Sequence, residues 1–91
     1  MKKNKDDEIL LNAIGKIIRR ERMKRAGKFT IFCYENDVAK TSMYMLEHAR
    51  NKAFITTLFR ITRLLGMSFE EFGRELDKLV PKDLYKDLEE M

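Results

Sequence analysis

Residues 36–51, NDVAKTSMYMLEHARN, decide how the chain is read, because they crowd polar, basic and apolar side chains into a short segment with no strand-like alternation. Met43 and Leu46 stand three apart, the spacing that puts two side chains on one face of a helix. A helix from Lys40 to about His48 follows, with Met43 and Leu46 turned inward and Lys40, Thr41, Ser42, Tyr44 and Met45 turned outward. Just before it, Asn36 and Asp37 are residue types that bond their own backbone, so a tight turn is expected near 36–39. Upstream, Thr30 to Glu35 reads as a short helix with Phe32 and Cys33 facing the core.

Working outward, helical spacing continues on both sides. Leu10, Ile14, Ile17 and Ile18 recur at helical intervals. Asp6, Asp7 and Glu8 precede them and Arg22, Lys24 and Arg25 follow, the charge order that suits a helix dipole, so a first helix over about 7–25 is predicted. Gly27 closes it. Ile55, Leu58, Phe59, Ile61, Thr62 and Leu65 predict a strongly apolar fourth helix over about 54–65, ended by Gly66 and expected to be the central core helix. Ser68 and Glu71 have the spacing of a capping box, so a fifth helix starts there and runs to about Val80. Pro81 suits the first turn of a last helix carrying Leu84, Tyr85 and Leu88.

The expected architecture is therefore all-α: a compact five-helix domain over residues 1–80 and a short C-terminal helical extension over 81–91 that folds on the domain or contacts a partner. Ninety-one residues suffice for one core. The composition, 44% hydrophobic and 37% charged, predicts a folded core under a charged skin rather than a disordered chain.

Several function classes lose support here. Cys33 is the only cysteine, so no intramolecular disulfide is available, and His48, the only histidine, lies too far from it for metal-ligand spacing. Both are read as structural, no cofactor is implied, and no small-molecule ligand is evident. No nucleophile, base and acid arrangement emerges, so an enzyme is not expected. The N-terminal apolar run is broken by Asn12 and Lys16 and preceded by acids, unlike a signal peptide, and no stretch approaches the roughly 18 apolar residues of a membrane span. A soluble, cytoplasmic protein with no membrane partner is the expectation.

Net charge is +4, divided as +5 over residues 1–25, +3 over 26–65 and −4 over 66–91. A basic body of this kind suits a polyanion, with the acidic third facing away or pairing with another subunit, although a merely solvated surface has the same composition.

The order IGKIIRRERMKR, FCYENDVAKTSMYMLEHARN and ITTLFRITRLLGMSFEEF resembles the helix-turn-helix domain of the phage-repressor and Cro-like (XRE-type) transcriptional regulators, over about residues 13–73. The matching positions are Ile14-Gly15, Arg22, Phe32-Cys33, Asp37-Val38, Leu46-Glu47 and the stretch from Leu58 to Ser68, which is the most specific. The resemblance implies a repressor-like DNA-binding domain in which the third helix enters the DNA major groove. It makes Lys40, Thr41, Ser42, Tyr44 and Met45 the contact surface, and Arg22 and Glu47 an ion pair tying helix 1 to the end of helix 3.

Arg50, Asn51 and Lys52, just beyond that helix, are placed for phosphate, although an exposed loop is commonly basic in any case. Thr41 or Ser42 is equally a helix cap. Tyr44 and Met45 suit sugar and thymine methyls or another protein. Arg19, Arg20, Lys24 and Arg25 suit the helix dipole, with one or two touching DNA backbone. Ala49 replaces the usual glycine, Lys52-Ala53 the usual Asn-Pro and Phe29 the usual phosphate-binding Gln, so a more helical loop and one lost contact are expected. No Arg, Gln or Asn lies within 40–46 to bond bases in pairs.

The functional expectation is a DNA-binding transcriptional regulator acting on double-stranded DNA as a homodimer, with the apolar residues of the acidic last third (Phe69, Phe72, Leu76, Leu79, Leu84, Tyr85 and Leu88) at the dimer interface or folded on the domain. The alternative is a degenerate helix-turn-helix module for protein contact, such as an antitoxin or accessory regulator.

Overall fold

The computed structural model describes residues 5–25 and 27–86. Helix α1, Lys5–Arg25, carries Asp6, Asp7 and Glu8 in its first turn and Arg22, Lys24 and Arg25 in its last, matching the sign of the dipole at each end. It is followed by α2 (Phe29–Glu35), α3 (Lys40–Glu47), α4 (Ile55–Leu64) and α5 (Phe69–Leu79). The domain is all-α, and among the described residues there is no strand. The Ser68 hydroxyl accepts the Glu71 amide at 3.0 Å while the Glu71 carboxylate accepts the Ser68 amide, so the expected capping box starts α5.

Three helices end alike. Asp37, Ala49 and Gly66 adopt φ of 53°, 55° and 76°, and the amides that follow them, Val38, Arg50 and Met67, each donate to a carbonyl five residues back at 2.9 Å. This left-handed cap satisfies carbonyls that the helix leaves unpaired. A glycine marks only the last. The expectation of a more helical loop after α3 is thus corrected: Ala49 takes the conformation a glycine would, and α3 stops at Glu47.

One core joins all five helices. Ile14, Ile17 and Ile18 of α1 meet Phe32 and Cys33 of α2, Met43 and Leu46 of α3, Leu58 and Ile61 of α4, and Phe72 of α5. Each fully buried side chain of this kind contributes about 1.5–3 kcal/mol by leaving water.

The central helix is α1, not α4. Helix α1 packs against α2, α3 and α5, whereas α4 packs chiefly on α5. Ile55 is 63% exposed and Phe59 41% exposed, and within α4 only Leu58, Ile61 and Thr62 are buried. Counting apolar residues made α4 look central, but they form one face of the helix, and only its middle, at Leu58, Ile61 and Thr62, is buried while Ile55 and Phe59 at its edge stay exposed.

The C-terminal segment also departs from expectation. Val80 is extended, the conformation favoured before proline, and residues 82–85 form turns rather than a helix beginning at Pro81. Leu88 lies outside the described residues. Tyr85, at φ 61°, donates its amide to Asp6 at 3.1 Å and its hydroxyl to Asp7. Phe72 is buried in the core, and Phe69 and Leu76 pack against it. These three, with Tyr85, serve the chain's own fold, as in the second of the two arrangements expected for the last third.

The acidic third finds a partner within the chain as well. Arg20 of α1 bonds Glu75 of α5 at 3.1 Å, and Glu75 also receives Lys78. No helix among the described residues is long and apolar enough to cross a membrane.

Candidate nucleic-acid interface

The position of α3 is set from behind. Arg22 reaches from the last turn of α1 to Glu47, the last residue of α3, in two bonds of 2.6 and 3.1 Å, and donates a third to the Gly27 carbonyl at 2.6 Å. The expected ion pair is present, and both side chains are buried. Phe29 lies against the Arg22 guanidinium, which is 5.4 Å from its ring centre, so an aromatic ring covers the pair. Gly15 supplies the second constraint: a Cβ there would sit 2.6 Å from the Glu47 carbonyl oxygen and 2.9 Å from that of Leu46. Only glycine lets the backbones of α1 and α3 approach so closely.

With Met43 and Leu46 buried, the outward face of α3 divides into two strips. Lys40, Tyr44 and His48 are four apart and exposed, and the Tyr44 and His48 rings stack at 4.2 Å. Thr41, Ser42 and Met45 form the other strip and wall a groove of about 230 Å³. The loop residues Asn51, Lys52 and Ala53 and then Phe54 and Thr57 complete it. The N-cap of α3 is Ala39 and that of α4 is Phe54, and neither helix receives a side-chain cap. The Thr41 and Ser42 hydroxyls therefore do not cap α3.

Five of the eight residues singled out in the sequence, Thr41, Ser42, Met45, Asn51 and Lys52, thus line one groove. Lys40 and Tyr44 lie on the neighbouring strip. Arg50 is exposed on another side of the loop, in a shallow depression with Glu8, Asn12 and His48. Lys52 is 76% exposed at its side chain yet bonds Asp7 at 3.1 Å, so part of its charge is balanced within the chain. In the basic run of α1, Arg20 and Arg25 both bond the buried Glu21. Burial pushes Glu21 up, but the hydrogen bonds from Arg25 and Arg20 outweigh it and hold the carboxyl below its ordinary value.

Sequence reasoning missed Phe54, which is 80% exposed in the groove wall. A signal was present: an aromatic residue holds an N-cap position, where Ser, Thr, Asp or Asn is preferred. Burial raises the Cys33 thiol above its ordinary range, as suits a packed rather than a reactive cysteine. Among the described residues no group of three His, Cys, Asp or Glu side chains is placed to hold a metal ion. Comparison with known proteins finds no family model, no curated protein and no solved structure that matches this chain.

Proposed function

We propose that the chain is a DNA-binding transcriptional regulator of the phage-repressor and Cro-like kind, acting in the cytoplasm as a homodimer without a catalytic step, with α3 placed in the major groove. The observation that carries this reading is the mounting of α3: Gly15 and the Arg22–Glu47 pair hold it from behind, while Lys40, Thr41, Ser42, Tyr44 and Met45 face outward together. A short helix held on one side and exposed on the other fits a groove of B-DNA, which is about 12 Å wide. Its uncapped N-terminus presents backbone amides that favour an anion. A second copy on a two-fold site would place two such helices about 34 Å apart.

The test is fluorescence anisotropy with random duplex DNA at 50 and 200 mM salt. Binding that weakens steeply with salt is expected, because phosphate neutralisation releases counterions. Absence of binding at the lower salt rejects the proposal. The second reading, a protein-contact module such as an antitoxin or accessory regulator, is favoured by one observation: Phe54, Ile55 and Phe59 expose aromatic and aliphatic surface around the start of α4.

A further inference from the structure

We infer that the groove between α3 and the start of α4 is a thymine-reading site, in which the 5-methyl group of the base rests on Met45 and Phe54. The inference rests on the DNA-binding reading above and names what that surface recognises. Residues 40–46 contain none of the Arg, Gln or Asn side chains that bond two atoms of a guanine or adenine edge at once. Apart from Lys40, the exposed face of α3 therefore has only apolar contact and single hydroxyl bonds with which to discriminate.

The groove has the matching chemistry. Met45, Ala53 and Phe54 give it apolar walls, and Phe54 is 80% exposed although Leu58, one turn on, is 6% exposed. Thr41 and Ser42 bring hydroxyl donors to the same wall. In the major groove thymine is the base that shows a methyl group beside a hydrogen-bond acceptor, its O4. An apolar wall next to a hydroxyl donor complements that pair. A volume of about 230 Å³ exceeds several times the roughly 30 Å³ share of one liquid water, so a methyl-bearing base edge has room to enter. Charge complementarity favours nucleic acid as the occupant: Lys52 lines the groove, Lys40 stands exposed on the neighbouring strip of α3, and residues 26–65 carry +3.

The experiment begins with a duplex enriched from a random pool by the intact chain. Each thymine is then replaced singly by deoxyuridine, which removes only the methyl group, and affinity is measured by anisotropy. At one or two thymines per half-site the replacement is expected to weaken binding about fourfold, the ratio corresponding to about 0.8 kcal/mol for one buried methyl-sized group. With Met45→Ala or Phe54→Ala the same replacement should have little effect, and the exposure of Phe54 makes the second variant the one expected to fold unchanged. Binding that is indifferent to every deoxyuridine overturns the inference and leaves the DNA-binding reading intact. A deoxyuridine effect undiminished in both variants also overturns it, since the methyl is then read elsewhere. Failure to enrich or bind any duplex rejects both.

Discussion

Arg22 grips Glu47 with two hydrogen bonds across 25 residues of sequence and joins the last turn of α1 to the last residue of α3. Both groups are withdrawn from water and Phe29 covers the guanidinium, so each charge depends on the other. Breaking such a pair by removing one partner costs about 3–5 kcal/mol, because the remaining charge is left buried without compensation. Arg22→Ala and Glu47→Ala should each lower stability by that order in urea denaturation. The double variant should lose much less than the sum of the two, and additive losses would show that the two residues act independently.

Two glycines in helices make a paired prediction. Gly15→Ala places a methyl group against the carbonyl oxygens of Glu47 and Leu46, which are backbone and cannot step aside, so a loss of about 1–3 kcal/mol is expected. Gly73→Ala meets nothing within 4 Å and gains helix propensity, so it should stabilise by up to about 1 kcal/mol. Thermal denaturation of both variants gives the signs directly.

Ala49 holds a left-handed conformation at φ 55°, which strains any residue with a Cβ. Ala49→Gly should relieve that strain and raise stability by about 0.5–1 kcal/mol after allowing for the greater freedom of glycine in the unfolded chain. An unchanged or lowered melting temperature would contradict the cap assigned to α3.

The contact between Tyr85 and Asp7 has a pH signature at both ends. The hydrogen bond from Tyr85, and then that from Lys52, hold the Asp7 carboxyl below its ordinary 3.8, so its stabilising contribution is present above that value and lost as pH falls through the lower folded value. The same bond to Asp7 pushes the Tyr85 phenol up to about 12, so its contribution is complete below its ordinary 10.0 and lost as pH rises through about 12. Tyrosinate absorbance should show a phenol titrating at about 12, and Asp7→Asn should bring it back toward 10.0. Absence of any phenol titrating well above 10.0 would mean that the C-terminal turn is not bound to α1.

Lys40, exposed at the start of α3, is expected to neutralise one phosphate. Lys40→Ala should weaken binding to all duplexes alike and reduce the slope of log affinity against log salt by about 0.9. An unchanged slope would remove Lys40 from the contact surface.

Much of this arrangement was legible because it is local. The capping box of Ser68 and Glu71 lies within one turn, and the inward Met43 and Leu46 follow from three-residue spacing. The Arg22–Glu47 contact spans distant residues and was expected only through the family resemblance. The candidate groove was legible in five of its residues, while Phe54 entered it because α4 begins there and turns the ring toward solvent.

By itself, then, the sequence determined that the chain is helical, where each of α1 to α5 begins within a residue or two, though not the turns that follow Pro81, and which face of α3 is apolar, since spacing, caps and turn residues act over a few positions. Tertiary structure decided that α1 and not α4 is central, that Ala49 bends as a glycine would, and that Arg20 and Tyr85 are engaged within the chain. Those outcomes depend on which surfaces meet after the helices pack, and the partners are separated by up to 79 residues in the chain, beyond the reach of any local pattern.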